Sequence, residues 1–299
     1  MSTGTTVRLR LYRRTMSDPA MALGALIVVG CVLLAMFSIV DEFVLNGLLI
    51  KTLLHDPYVL HPENRLVSPS LAHPFGTDEQ GRDILARVIY GTRTSIVVGI
   101  GAVTFAGVVG VTVGLVTAYY GGLVDNVGMR AVDVLLAFPA ILLAIALLAS
   151  LGRGFSSIIL ALGIAFIPLF ARITRSKALS VKSEEYVTAA EVMGYPTRNV
   201  LRDEILPNCV TPIIVQATFS LAVAIIAEAG LSFLGLGVTP PTPTWGIMLS
   251  TSQEYIDSAW WYSLFPGLAI MTTVLGFNLL GDSIRDALDP QGDSGERRL

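Results

Sequence analysis

Charged residues are scarce in this chain. Of its 299 residues, 14% are charged and 53% are hydrophobic, whereas soluble domains carry about 25% charged residues. The 20 lysines and arginines against 23 aspartates and glutamates leave a net charge of −3. This balance excludes the basic surface on which nucleic-acid binding depends, so no nucleic-acid partner is expected. The shortage of charge instead predicts a chain that lipid surrounds.

Cysteine, histidine and catalytic motifs are also few. Cys31 and Cys209 lie in or beside apolar runs, so neither a disulfide framework nor a zinc site is predicted. His73 precedes a proline, and His55 and His61 lie in unpatterned sequence, so no metal site is expected. The chain lacks a Gly-x4-Gly-Lys-Ser/Thr motif, a His-Glu-x-x-His motif and a nucleophile–base pair that spacing would place together. We therefore expect no enzymatic activity and no cofactor bound by this chain.

Long apolar runs dominate what remains. Backbone groups in lipid must be satisfied within the segment, so these runs are predicted to be helices. The first has no charge and no small-residue cleavage site after it, which favours a retained helix over a signal peptide. The fourth contains Pro168, which predicts a tilt, a kink or an extension at one end. The fold class is all-α, a polytopic transmembrane helical bundle with six spans. The predicted spans are Met21–Val40, Ser95–Tyr120, Val134–Leu151, Ser156–Ala171, Thr211–Leu236 and Trp261–Leu280.

Positive charge predicts the orientation, because cytoplasmic loops carry the excess of lysine and arginine. With the N-terminus inside, the inner segments hold 14 of these residues and the outer segments hold 6. Both termini are therefore expected in the cytoplasm, with membrane lipid around the spans. The expected segments are a cytoplasmic segment 1–20, a first transmembrane helix 21–40, an outer segment 41–94, a core 95–283 with an inner loop 172–210, and a cytoplasmic tail 284–299. Within the outer segment, Asp83, Arg87 and Arg93 predict a polar or amphipathic helix that leads into the second span and lies at the outer membrane surface.

Small residues recur every four positions along the second predicted span. They are Ala102, Ala106, Gly110, Gly114 and Ala118. This spacing forms a narrow seam on one helix face, where another helix can approach closely. The partner helix belongs either to this chain or to another subunit.

Glu228 is the one carboxylate well inside a predicted span, and Asn278 is an amide inside the sixth span. An ionisable group within a span is costly and is by default a functional hypothesis. Both are candidates for lining a substrate path. The alternative is that they form polar contacts between helices.

The inner loop predicts a short helical hairpin. Ser183 is a suitable N-cap, and Glu185, Tyr186, Ala189, Ala190 and Met193 follow with helical spacing. Gly194 is predicted to end this helix in the C′ position. A second helix is predicted from Thr197 to Pro207. The exposed face of the hairpin is expected to carry Ala189 and Ala190, which together are flat enough for another protein to cover.

This loop resembles the "EAA" loop of binding-protein-dependent ABC importer permeases. The resemblance rests on Thr188-Ala189-Ala190, Gly194 and Leu206-Pro207. It departs from the family at Thr188, where glutamate is frequent, and at Glu204, where isoleucine or histidine is frequent. The resemblance implies a cytoplasmic coupling helix that docks on an ATPase subunit. The coupling residues would be Glu185, Tyr186, Thr188, Ala189, Ala190, Met193, Gly194, Leu206 and Pro207.

Other segments are similar to the dipeptide, oligopeptide and nickel branch of that family. They are His73-Pro74-Phe75-Gly76-Thr77-Asp78 to Gly81-Arg82-Asp83, Ala229 to Gly237, Pro243-Thr244-Trp245-Gly246, Trp260 to Gly267 and Phe277 to Pro290. Their order implies the C-type inner-membrane subunit and a type I ABC importer permease fold. On the outer side, Asp78, Arg82, Asp83 and Trp245 are candidates for facing a receptor. The alternative is that this region braces the helices.

The resemblance implies a permease subunit in a prokaryotic plasma membrane. Its partners would be a second homologous permease, two ATP-binding subunits that form a homo- or heterodimer, and an extracytoplasmic solute-binding protein. ATP and Mg²⁺ would bind the ATPases. The expected solutes are di- or oligopeptides, with nickel chelates or glutathione-type compounds as alternatives. A secondary transporter is the rival class, but it calls for internal repeats and midplane charges.

Overall fold

The computed structural model describes residues 19–288. This part of the chain is helical and contains no strand. Of the predicted terminal segments 1–20 and 284–299, only residues 19–20 and 284–288 are among those described. The helices are α1 (Pro19–Phe43), α2 (Leu48–Leu53), α3 (Ile84–Tyr120), α4 (Gly122–Leu136), α5 (Ala140–Leu151), α6 (Phe155–Lys182), α7 (Glu185–Val192), α8 (Thr197–Asn199), α9 (Leu206–Phe233), α10 (Trp245–Ser252) and α11 (Trp260–Leu288).

Five helical segments in the described range are long and apolar enough to cross a membrane. They are α1, α3, α6, α11 and the stretch from α8 to the end of α9, and the bent pair α4–α5 adds a sixth span when counted as one. Leu26 and Leu33 of α1 are 71% and 60% exposed. Such exposed leucines suit contact with lipid rather than water. The all-α bundle with six spans is therefore confirmed.

The third predicted span is wrong as a single helix. Helices α4 and α5 meet at a 90° bend, which falls inside the predicted range Val134–Leu151. Pro139 lies at the bend and caps α5 with extended backbone (ψ 130°). Proline lacks a backbone N–H and disfavours helical geometry in the preceding residue, so the helix ends before it.

The second span also differs from its prediction. Helix α3 begins at Ile84 rather than Ser95 and runs without a break to Tyr120. Its first turn is capped by Asp83, whose side chain accepts a hydrogen bond from the Ala86 amide. Arg87 and Arg93 are buried, so this end of the helix is not the amphipathic surface helix that was expected. It is a continuous extension of the span, enclosed by the segment that precedes it.

The seam of small residues packs within this chain. All five of its members are buried, and α6 lies against them. A β-carbon on Gly110 would come within 2.6 Å of Phe170 Cβ, and one on Gly114 within 2.6 Å of the Ala171 carbonyl oxygen. Glycine therefore allows α3 and α6 to touch along their backbones. Of the two alternatives for the seam, contact inside the subunit is the one observed.

The second helix of the inner hairpin does not end at Pro207. A π-helical turn, Val200–Ile205, connects α8 directly to α9. Pro207 lies in the first turn of α9, where a missing backbone N–H is tolerated. The fourth span is likewise longer than predicted, since α6 continues through Lys182. The predicted loop 172–210 is therefore mostly helix that extends from two spans.

Candidate functional site

The hairpin comprises α7, α8 and the connecting turns, residues 185–205, and it joins the ends of α6 and α9. The predicted N-cap is wrong. Ser183 is the C-cap of α6, and its hydroxyl donates to the Ser180 carbonyl oxygen at 2.7 Å. Glu184 takes the N-cap position with extended backbone and no side-chain cap bond. Because α6 extends through Lys182, Ser183 forms part of the corner between the two helices.

Gly194 ends α7 as predicted. Its φ of +80° lies in the left-handed region. The Tyr195 amide donates to the Ala190 carbonyl at 3.1 Å, and the Gly194 amide donates to the Glu191 carbonyl at 3.0 Å. This pair of bonds is a Schellman motif, in which a C′ glycine reverses the chain after a helix. The motif determines how α7 is oriented relative to α8.

The hairpin has its own small hydrophobic core, and Ala190 belongs to it. Val187 and Ala190 of α7 are 0% and 4% exposed, and they pack with Val200 and Ile205. The prediction that Ala190 lies on the exposed face is therefore wrong, although Ala189 is exposed. Ala190 follows Val187 by three positions and therefore lies on the same, inward face of α7, whereas Ala189 lies on the outward face beside Thr188.

This core continues into the bundle. Leu115 and Ala118 of α3 and Ala178 and Val181 of α6 belong to the same cluster. The side-chain amide of Asn208 in α9 also donates to the Tyr186 hydroxyl at 3.1 Å. The hairpin therefore packs directly on three of the long helices, and a displacement of the hairpin would be transmitted to them.

An apolar tip projects from the hairpin. Tyr186, Val192, Met193 and Tyr195 are 44%, 82%, 69% and 51% exposed. Burial and the nearby carboxylates Glu184 and Glu204 raise the pKa of the Tyr186 phenol, so it is neutral at physiological pH. Sequence analysis named Tyr186 and Met193 but missed Val192 and Tyr195. The sequence signal that could have identified them is their position on either side of Gly194, the residue predicted to end the helix.

The remaining predicted coupling residues lie on α7 and at the start of α9. Glu185, Thr188 and Pro207 are exposed, while Leu206 is half-buried. Thr188 points back toward its own helix, with its hydroxyl 3.5 Å from the Glu184 carbonyl oxygen. The structure thus places seven of the nine predicted coupling residues on the hairpin, divided between its core and its surface, and places Leu206 and Pro207 at the start of α9.

Glu228 is enclosed within the chain. It is 0% exposed, and its carboxylate accepts hydrogen bonds from Ser95 of α3 at 2.8 Å and from Ser232 at 2.7 Å. The side chain lies between helices of one subunit, so its placement supports the interhelical alternative and not the substrate path. Asn278 is half-buried in α11, and its role as a path residue stays a prediction.

The four candidates for facing a receptor are buried, so that prediction is wrong. Asp78, Arg82, Asp83 and Trp245 are at most 9% exposed. Arg82 Nε donates to Asp78 Oδ2 at 2.6 Å, and Trp245 Nε1 donates to the Val88 carbonyl oxygen at 3.0 Å. The first contact lies within the predicted outer segment, and the second fastens α10 to the first turns of α3. Buried polar groups need such partners. The motif therefore supports the alternative that this region braces the helices.

A charged cavity of about 440 Å³ lies where α4 faces α6. Arg175 makes two hydrogen bonds to Asp125, at 2.6 and 2.5 Å, and Arg172 donates to Asp133 at 2.8 Å. The two ion pairs join α4, the first helix of the bent pair, to α6. Sequence analysis did not predict this cavity, because it placed Asp125 and Asp133 in a short loop rather than on a helix.

Long apolar helices and an exposed hairpin that packs on three of them define an integral membrane protein of several spans. Residues 110–291 match the family described as binding-protein-dependent transport system inner membrane component. The chain belongs to this family. Membership favours a transport component over an enzyme, and over the rival class of secondary transporters.

The relatives agree with this assignment. The chain is 47% identical to a dipeptide transport system permease protein, DppC, of Alkalihalophilus pseudofirmus, covering 85% of this chain and 84% of that protein. It is 42% identical to a probable D,D-dipeptide transport system permease, DdpC, of Escherichia coli, covering 79% and 80%. A glutathione transport system permease, GsiD, of Pectobacterium atrosepticum is 46% identical over 75% of this chain and 74% of that one.

Solved structures show the same fold. An inward-facing form of the MetNI methionine ABC transporter superposes with a TM-score of 0.57 at 18% identity, covering 69% of this chain and 98% of that chain. An amino acid ABC transporter gives a TM-score of 0.53 at 16% identity, covering 68% and 95%. At these identities the likeness concerns the fold alone.

Proposed function

We propose that this chain is the membrane-spanning permease subunit of an ATP-driven importer of di- or oligopeptides. It would form half of the translocation pathway beside a second homologous permease. Two ATP-binding subunits, which hold ATP and Mg²⁺, would power it, and an extracytoplasmic solute-binding protein would deliver the peptide. Both termini would be cytoplasmic. The chain itself would carry out no covalent chemistry.

The apolar tip of the hairpin is the observation that carries the proposal. Val192 and Met193 are among the most exposed apolar side chains outside the long helices. Exposed apolar groups at such a turn mark a protein contact. Behind the tip, the shared core with α3 and α6 would convert movement of an ATPase into movement of the spans. This arrangement supports alternating access driven from the hairpin.

The coupling role is tested by placing a charge on the tip. In Val192→Asp and Met193→Asp, we expect an inserted chain that still binds the partner permease, because neither side chain is part of the core. ATPase association should weaken at least tenfold, about 1.4 kcal/mol. Leu71→Asp is the matched control, since Leu71 is fully exposed in the predicted outer segment. Co-purification of the ATPases and receptor-stimulated hydrolysis in vesicles are the measurements.

Equal association and hydrolysis in the wild type and both tip variants would contradict the coupling role. The solute is tested separately, by uptake of labelled dipeptide, tripeptide and glutathione in cells that lack and then regain this chain. Peptide uptake that returns with the chain supports the proposal. The glutathione alternative is favoured by the GsiD relative, and restoration of glutathione uptake alone would establish it.

A further inference from the structure

Two imidazoles and one carboxylate meet just before α3. His73 Nδ1 lies 2.9 Å from Asp83 Oδ2, and His55 Nδ1 lies 3.6 Å from the same carboxylate oxygen. The two histidine rings have centroids 4.5 Å apart. The three ligand atoms all lie within 4.8 Å of one another. Residues far apart in sequence are thus brought to one point in the segment that precedes α3.

His55 Nδ1 is buried and has no hydrogen-bond partner. Its 3.6 Å separation from the carboxylate oxygen is too long for a hydrogen bond. Buried polar atoms without a partner are rare, and an ion is one of the few explanations for them. The nitrogen is therefore a donor atom directed to a site that the protein's own groups do not fill.

The carboxylate is arranged to serve the same point. Asp83 Oδ1 accepts the Ala86 amide at 2.9 Å, which holds the side chain in place and leaves Oδ2 for the histidines. The side chains of Asp83 and His73 are 0% and 11% exposed, whereas that of His55 is 42% exposed. Two ligands are rigid and the third borders solvent, which provides an entry path for an ion.

We propose that His55, His73 and Asp83 bind a divalent transition-metal ion of the Zn²⁺ class. Two imidazole nitrogens and one carboxylate oxygen suit this ion, and water would complete a tetrahedral set. On binding, His73 Nδ1 gives up its proton to solvent and Nε2 takes one up, so the ring stays neutral and its Nδ1 lone pair faces the ion, which lies between the imidazole and the carboxylate. The ion would join the residues after α2 to the start of α3. It would act as a clamp on the predicted outer segment.

The histidine content of the chain supplies a matched control. There are three histidines, and the third, His61, is half-buried and pairs with Glu63 at 3.1 Å, outside the cluster. His55→Gln removes one ligand, His73→Gln removes another, and His61→Gln removes none. All variants should be purified in detergent as full chains, with an affinity tag that lacks histidine.

Zn²⁺ itself is the probe, titrated in competition with a chromophoric chelator. We expect the wild type and His61→Gln to bind one equivalent, and His55→Gln to bind at least tenfold more weakly. Zn²⁺ should raise the melting temperature of the first two chains and not that of His55→Gln. Co²⁺ substitution should give the visible absorption of a nitrogen–oxygen site without thiolate charge transfer.

Three results would overturn the proposal. They are no saturable binding by the wild type, equal binding by His55→Gln, and a thiolate signature that assigns the ion to a cysteine. If His55→Gln does not fold, His73→Gln gives the same comparison with the wild type. If neither folds, Co²⁺ absorption of the wild type decides, because it reports the ligand set directly.

Discussion

Gly194 determines the direction of the chain after α7 through its backbone alone. A β-carbon there would meet no atom within 4 Å, yet φ is +80°. A branched residue in this conformation costs roughly 1–2 kcal/mol. We expect Gly194→Val to lower transport by altering the angle of α7, while the chain still inserts. Transport and ATPase co-purification in vesicles are the measurements.

Gly194→Asn is the matched control, because asparagine adopts the left-handed region far more readily than valine does. It should retain most of the wild-type transport. Equal loss in both variants would show that the backbone conformation is not the cause, and normal transport in both would show that the angle of α7 is unimportant.

Glu228 illustrates how one buried carboxylate holds two helices. Glu228→Ala would leave the hydroxyls of Ser95 and Ser232 without their acceptor, at about 1–3 kcal/mol for each unsatisfied group. We therefore expect the amount of assembled complex and the transport to fall together. Glu228→Gln keeps an acceptor and should be milder. Immunoblots of the complex and uptake assays on the same cells provide the measurements.

Exposed Glu254 offers the control, and Glu254→Ala should be neutral. If Glu228→Gln abolished transport while assembly stayed normal, the carboxylate would have a role in the path that its burial does not indicate.

At the scale of elements, the contact between α3 and α6 depends on missing side chains. Gly110→Ala would place a methyl group 2.6 Å from Phe170 Cβ and 2.7 Å from the Ile167 carbonyl oxygen. Overpacking of this kind typically costs about 1–3 kcal/mol. We expect a lower melting temperature and less assembled complex.

Gly230→Ala is the control for this prediction. Gly230 also lies within a helix, but a β-carbon there would meet no atom within 4 Å. Alanine is the better helix former by about 0.5–1 kcal/mol, so this variant should be neutral or slightly stabilised. A melting temperature that is unchanged in Gly110→Ala would refute the close packing of the two helices.

The orientation of the whole molecule follows from its charges and is open to direct labelling. In a variant without Cys31 and Cys209, single cysteines are placed at Ser183 and Ser258, both of which are exposed. An impermeant thiol reagent applied to whole cells should label position 258 only. Labelling after permeabilisation shows that Ser183→Cys is reactive. Labelling of position 183 in intact cells would reverse the topology and remove the hairpin from the ATPases.

Polar contacts near the start of α3 join the neighbouring parts of the molecule. Tyr58, ahead of α3, donates to Glu42 of α1 at 3.3 Å, and burial beside that carboxylate raises the pKa of Tyr58 to about 12. Asp41 of α1 accepts the Tyr90 hydroxyl of α3 at 2.8 Å. Polar contacts thus connect Tyr58 to α1 and α1 to α3, and the proposed metal site lies in the same region.

The sequence by itself determined that this protein is a bundle of membrane helices with a hairpin between the fourth and fifth spans. Apolar length and the Gly194 turn are local properties, since a helix in lipid must satisfy its own backbone. The same holds for the seam of small residues, whose spacing is visible along one helix. The turn at Gly194 and the small-residue seam were therefore placed on the correct elements.

The tertiary structure decided which side chains are buried and which separate residues meet. The burial of Ala190 depends on the π-helical turn and α9. The burial of Asp78 and Trp245 depends on α3 and α10, and the meeting of His55 with His73 depends on how the segment before α3 folds back. The spacing of residues along the chain does not predict such contacts, because they arise only when separate elements pack. Even the bend at Pro139 required the structure, since proline alone signals an interruption but not its 90° angle.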